Sequence, residues 1–215
     1  TPLTVTLGFL ETSLDALEDT PPQELAKYLQ TAADQARRMQ QLIDDLLTLS
    51  SLETDSPPPL EDPVDAAALL ADILQEVQAL SAGRHRIALE NAGPRGLLGS
   101  ARELRSAFAN LAGNAVRYTP DGGEIVLSWG AEGAGGARFA VRDSGIGIAR
   151  EHLPRLTERF YRVDRGRSRE AGGTGLGLAI VKHVLERHQA VLQVESEPGR
   201  GSTFSAAFPA HRVQS

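Results

Sequence analysis

Apolar residues in the first fifty positions recur at helical spacing. Leu3, Leu7, Leu10, Leu14 and Leu17 alternate steps of four and three. After Thr20-Pro21-Pro22, the residues Leu29, Ala32, Ala36, Met39, Ile43 and Leu46 resume the same rhythm. A seam of this kind predicts two helices packed with coiled-coil-like geometry. Pro21 and Pro22 end one helix and suit the first turn of the next. One hairpin buries little apolar surface alone, so the pattern predicts pairing with a second copy into a four-helix bundle. Packing of the hairpin against its own C-terminal region is the alternative. Ser56-Pro57-Pro58-Pro59 cannot continue a helix and reads as a short, stiff linker. The expected organisation is a hairpin over 1–52, a linker over 53–62 and a second domain over 63–212.

Beyond the linker the periodicity is mixed. It predicts helices over Asp65–Leu80, over Ala101–Arg117, and from Gly175 to His188. Strands are expected at His85–Glu90, Glu124–Trp129, Ala137–Arg142, Val191–Glu195 and Thr203–Phe208. Most strands are neighbours joined by Gly-rich turns, such as Asp121-Gly-Gly and Pro198-Gly-Arg-Gly201. That order favours an α+β fold, an α/β sandwich with a mixed sheet, over a doubly wound parallel sheet.

Composition narrows the function classes. Hydrophobic residues make up 41% of the 215 positions, enough for a packed core. No stretch approaches the roughly 18 to 20 apolar residues needed to span a bilayer, and Thr1-Pro-Leu-Thr lacks the basic start of a signal peptide. The chain is therefore expected to be soluble. A balance of 22 basic against 28 acidic residues, net −6, argues against a nucleic-acid surface. With no cysteine, and with His85, His152, His183, His188 and His211 at no metal-ligand spacing, no transition-metal site is expected.

Four segments carry the candidate chemistry. Asn110 and Asn114 lie four apart on a predicted helix, so their amides share one face. An amide oxygen can serve Mg²⁺ held mostly by phosphates and water, and Arg117, one turn on, could meet phosphate oxygens. Asp143-Ser-Gly145-Ile-Gly147 follows a strand; its carboxylate can accept from an exocyclic amine, and its glycines let backbone approach a flat ring. Gly172-Gly173-Thr174-Gly175-Leu176-Gly177-Leu178 precedes an apolar helix, where backbone N–H groups and the helix dipole favour anions. This run matches neither the Rossmann fingerprint nor the P-loop. Between them, Phe160-Tyr161-Arg162 opens an Arg-rich stretch that reads as a surface loop or as a lid over a ligand. Taken singly, each segment is equally a polar helix face, a turn, a helix-capping loop or a solvated charge run.

In this order, and within about seventy residues, the segments resemble the N, G1, F and G2 boxes of the ATP-binding domain of sensor histidine kinases. The stretches Leu156–Asp164 and Gly175–His183 are similar to the phosphate-regulon branch of that family. The resemblance implies a cytoplasmic kinase core of a membrane-anchored bacterial parent, working as a homodimer through its N-terminal helices. It would bind ATP with Mg²⁺ and pass the γ-phosphoryl to a histidine, then to an aspartate of a response regulator. It implies Asn114 as the metal ligand, with Asn110 and Arg117 nearby, Tyr118 against the adenine, and Asp143, Gly145 and Gly147 at the base. Phe160 would anchor the lid, with Arg162 among the arginines reaching the phosphates. The G2 residues Gly173, Thr174, Gly175, Leu176, Gly177 and Leu178 would hold those phosphates, and Thr203 would lie near the adenine.

The family's H box reads His-Glu-Leu-Arg-Thr-Pro-Leu-Thr, and this chain opens at Thr1-Pro2-Leu3-Thr4. The acceptor histidine would then sit about one turn ahead of Thr1, and the 215 residues alone are expected not to label themselves. Thr1 matches the threonine that positions a water for regulator dephosphorylation, a candidate phosphatase role, and is equally an ordinary N-cap. Glu103 lies on the Asn110 helix without a spacing that assigns it. Two other classes remain in view. One is an ATP-driven conformational module of the chaperone and gyrase type, and the other is a non-catalytic dimerisation module.

Overall fold

The computed structural model describes residues 6–8, 10, 22–53, 62–163 and 173–214. The chain divides into two compact units, Thr1–Thr48 and Leu49–Ser215. In the first, residues 6–8 and 10 are helical, and helix α1 (Pro22–Glu53) fills the rest of its described residues and runs on past Thr48. Side-chain amides brace α1 one turn apart, as in Gln30 to Asp34 and Gln40 to Asp44, both at 3.0 Å. Ala32 is buried, but Leu29, Ile43 and Leu46 stay 47%, 52% and 46% exposed. Among the described residues an apolar row along α1 is therefore left open.

The second unit is built from β1 (Pro63–Asp65), α2 (Ala66–Ser81), β2 (Arg86–Asn91), β3 (Gly96–Leu98), α3 (Ala101–Tyr118), β4 (Glu124–Glu132) and β5 (Gly136–Asp143). A 3₁₀ turn at Arg150–Arg155 follows, then α4 (Gly177–Arg187), β6 (Val191–Glu197), β7 (Gly201–Phe208), a 3₁₀ turn at Ala210–Arg212 and β8 (Val213–Gln214). Two helix starts are set by side-chain caps: Asp65 accepts from Ala68 N–H at 3.0 Å, and Ser100 from Glu103 N–H at 3.3 Å.

Five strands form one sheet in the order β2-β4-β5-β7-β6, with β2 and β4 parallel and the other neighbours antiparallel. The expected α+β architecture with a mixed sheet is the one observed. Alternation fixes the faces. Ile125, Leu127 and Trp129 of β4 pair with Asp143, Val141 and Phe139 of β5, and all six are buried. From α3, Leu104, Phe108 and Leu111 join this core; from α4, Ile180, Val181 and Val184 do. Phe108 stacks on Phe139 with centroids 4.0 Å apart and meets Phe208 edge-on at 6.1 Å. The other sheet face carries Arg138, Arg142 and Thr203.

Three differences from the predicted elements stand out. A small sheet, β1-β3-β8, is added; its strands of two or three residues are too short to show a two-residue period. The last helix begins at Gly177 rather than Gly175, because Gly175 has φ +77°, outside the helical region. Strands β6 and β7 meet in a tight turn and pair out to Glu197 and Gly201, so β7 starts before Thr203.

Candidate functional site

The Asn pair lies on α3, held by the hydrophobic face that buries Leu104, Phe108 and Leu111. Asn110 Nδ2 donates to Ser106 O at 2.9 Å, which orients Oδ1 toward the start of α4. A Cβ at Gly177 would collide with that oxygen. The glycine therefore permits the close approach of the two helices at the point where both carry candidate site residues. One turn further on, Asn114 Oδ1 accepts from Arg117 Nη1 at 3.0 Å. Both residues border solvent, so the amide oxygen can exchange Arg117 for another partner.

The start of α4 has no side-chain cap; Leu176 occupies the N-cap position, and the first helical bond is Ile180 N–H to Leu176 O at 2.9 Å. Leu176 itself is buried, and its N–H is held by Thr174 Oγ1 at 3.2 Å. The N–H groups of Gly177 and Leu178 thus lie in a helix terminus that favours an anion. Gly175 O accepts from Phe160 N–H at 2.9 Å, and a Cβ on Gly175 would lie 2.9 Å from Phe160 Cα. The F segment and the glycine segment are joined here. Phe160 has φ +61° and is 58% exposed, and the contacts at this junction are made by its backbone. Arg162 is half-buried two residues on. Gly173 faces the hydroxyl of Tyr118.

At the C-terminal end of α3, Tyr118 O accepts from Ile146 N–H at 3.1 Å, tying the helix end to the Asp143–Gly147 loop. Asp143 ends β5 on the buried face, and its Oδ1 accepts from Gly145 N–H at 2.8 Å and Ser202 N–H at 3.3 Å. Burial pushes its carboxyl above the usual range, and these two N–H donors pull back against that. Gly147 packs on the backbone of Glu197 and Pro198.

Thr203 comes near this end but not on the sheet face that buries Asp143. It pairs with Arg142 and Glu195, whereas Ser202 pairs with Asp143. By strand alternation Thr203 therefore points to the other sheet face. Ser202, missed in the sequence, takes the place beside Asp143, and its Oγ lies 2.8 Å from Ser196 Oγ. A cleft of about 600 Å³ at this end is lined by Asp143 and Ser202 together with Arg142, Arg150, Glu195 and Thr203 among others. It includes neither the Asn pair nor the glycine segment. Thr1 and the Arg-rich stretch 164–172 lie outside the described residues.

A metal at this site would find few protein ligands. Among the described residues no cluster of three or more His, Cys, Asp or Glu side chains is placed to hold one. A neutral Asn114 oxygen, one turn beyond Asn110, fits Mg²⁺, which keeps waters and takes its charge from phosphates.

Comparison with known proteins identifies the frame. Residues 99–212 match the family model of histidine kinase-, DNA gyrase B- and HSP90-like ATPases. Residues 1–55 match the His Kinase A (phospho-acceptor) domain. The phosphate regulon sensor protein PhoR of Pseudomonas aeruginosa is 56% identical over 214 residues, covering 99% of this chain and 48% of that protein. The sensor-like histidine kinase SenX3 of Mycolicibacterium smegmatis is 37% identical over 190 residues, 87% of this chain and 49% of the relative. The chain thus spans about half the length of these curated relatives. The histidine kinase AdeS of Acinetobacter baumannii shares the fold with TM-score 0.75 at 23% identity, covering 98% of this chain and 95% of that one. Full-length ShkA, solved in complex with AMPPNP, gives TM-score 0.73 at 26% identity, over 97% of this chain and 46% of its own. The chain belongs to the sensor histidine kinases of two-component systems, and it carries their ATP-binding domain.

Proposed function

We propose that this chain is the ATP-dependent core of a protein-histidine kinase. It would pass the γ-phosphoryl of Mg-ATP to a histidine and thence to an aspartate of a response regulator. The observation that carries this reading is the meeting of Asn110 with Gly177, which sets the Asn-bearing helix against the uncapped start of α4. An amide pair, an anion-favouring helix terminus and a buried carboxylate on one side of a sheet suit a nucleotide with its base at Asp143 and its phosphates at α4.

In this arrangement Asp143 accepts from the adenine amine, and Tyr118 with Gly145 and Gly147 shapes the slot for the ring. Gly173, Thr174, Gly175, Gly177 and Leu178 present backbone N–H groups to the phosphates, Leu176 with its N–H on Thr174 Oγ1 shapes the turn they lie on, Arg117 and Arg162 add charge, and Phe160 fastens the F segment. Bound Mg²⁺, held by Asn114, supplies charge neutralisation on the phosphates. The protein contributes position and electrostatics to an in-line transfer rather than covalent chemistry.

The open row Leu29, Ile43 and Leu46 on α1 supports pairing through the hairpin, with domains over 1–52 and 63–212 joined by 53–62. The match of residues 1–55 to a phospho-acceptor domain favours a kinase over a gyrase-type module or a non-catalytic dimerisation module. Phosphatase action on the regulator, with Thr1 orienting a water, extends the same reading. The parent would be a membrane-anchored bacterial sensor with this part in the cytoplasm; among the described residues no helix is long and apolar enough to cross a membrane. Calorimetric titration of the chain with Mg-ATP tests the reading: saturable binding is expected, and its absence would remove the nucleotide assignment.

A further inference from the structure

A hydrogen-bonded cluster outside the residues already assigned adjoins the F segment. His152 Nδ1 and Tyr161 Oη are 2.7 Å apart. The guanidinium carbon of Arg155 lies 4.3 Å from the Tyr161 ring centroid, and Arg155 reaches the Glu158 carboxylate at 3.0 to 3.2 Å. His152 and Arg155 belong to the 3₁₀ turn Arg150–Arg155, whereas Tyr161 sits between Phe160 and Arg162. The turn therefore grips the F segment from one side. From the other side the segment is gripped by the Phe160 N–H bond to Gly175 O at 2.9 Å.

This double grip accounts for the backbone of Phe160. A bulky residue at φ +61° persists only where its surroundings over-determine it. The exposed Phe160 ring cannot supply that restraint, so its two neighbours in space must. The Glu151 carboxylate, 3.6 Å from His152 Nε2, favours a proton on that nitrogen. In that tautomer Nδ1 accepts from the Tyr161 hydroxyl, 2.7 Å away.

We propose that His152 is a positioning residue of the nucleotide site. Through Tyr161 it holds the Phe160 turn, and with it the start of Arg162, against the glycine segment, so that the phosphate end is ordered before ligand arrives. This rests on the nucleotide reading above. Ordering in advance lowers the cost of binding only for groups that touch the ordered part. The adenine end, built on Asp143 and Ser202, shares no residue with the cluster.

The test is calorimetry of the 215-residue chain with Mg-ATP and, separately, adenosine. His152→Ala and Tyr161→Phe are each expected to weaken Mg-ATP by about three- to tenfold, the worth of one hydrogen bond, with adenosine unchanged. Tyr161→Phe keeps the ring beneath Arg155, so the packing of the turn survives. The double variant should be no weaker than the weaker single one, because both remove the same bond. His152→Asn, whose amide can replace Nδ1, should restore most of the loss. Unchanged Mg-ATP affinity in both single variants would overturn the proposal, as would additive losses or equal losses for adenosine and Mg-ATP. If the unaltered chain bound neither ligand, the nucleotide reading would fall and the proposal with it.

Discussion

His188 Nε2 accepts the backbone N–H of Ser100 at 3.1 Å, while its Nδ1–H donates to Val184 O at 2.8 Å. The ring is fully buried. It bolts the N-cap residue of the Asn-bearing helix to the end of α4, at the pole of the two helices away from Gly177. Arg187 reinforces the junction through a two-pronged pair with Glu103, both contacts at 3.1 Å. Spacing alone could not announce this: the two residues are 88 positions apart.

The bolt predicts a pH dependence of stability. Burial lowers the His188 pKa; its bond to Val184 and the nearby Glu103 oppose the shift, and Arg212 and Arg187 add to it. The unfolded chain, at about 6.5, therefore takes up the proton first. The full contribution is present above that pH and is lost as pH falls toward the depressed folded value. Urea unfolding should show stability falling below about pH 6.5. His188→Ala should cost roughly 2–4 kcal/mol at pH 8 through the cavity and the unpaired Ser100 N–H, and should flatten the acid slope.

Asp143→Asn separates stability from recognition. The folded pKa of Asp143 is raised, so its favourable contribution is present below about pH 3.9 and is lost as pH rises through the folded value. At neutral pH the buried carboxylate is a cost. Asparagine keeps an oxygen for Gly145 and Ser202 while removing that charge. Thermal unfolding at pH 7.5 should show the variant no less stable than the parent. Adenosine and Mg-ATP affinity should both fall by about tenfold or more, the scale of a hydrogen bond to a charged group. A loss confined to Mg-ATP would contradict the adenine assignment.

Asn114→Ala should leave the fold intact, since the side chain borders solvent and its bond is to exposed Arg117. Calorimetry with ATP in the presence and absence of Mg²⁺ should show the metal-dependent gain in affinity abolished. A variant that still gained affinity from Mg²⁺ would remove Asn114 as the ligand.

Much of the fold was legible because it is periodic. Helices α3 and α4 and strands β4 to β7 carry long apolar rhythms, and the Gly-rich turns mark their ends. What the sequence concealed was set by register and by distant contacts. Strands β1, β3 and β8 have no room for a period and form only when Pro63–Asp65, Gly96–Leu98 and Val213–Gln214 meet. Ser202 and Thr203 are adjacent, and only pairing with Asp143 shows which faces the helices. The Asn, Asp and Gly segments were visible as motifs. Their mutual placement, with Asn110 on Gly177 and Tyr118 on Ile146, required the fold.

The central claim, that these residues hold ATP for transfer to a histidine, is tested most directly with γ-labelled ATP. The 215-residue chain would be compared with the same chain extended at its amino end by a helix carrying His-Glu-Leu-Arg, the rest of the family's H box. The account predicts acid-labile, base-stable label on the extended chain and none on the unextended one. No label on either, or stable label on the 215 residues themselves, would contradict it.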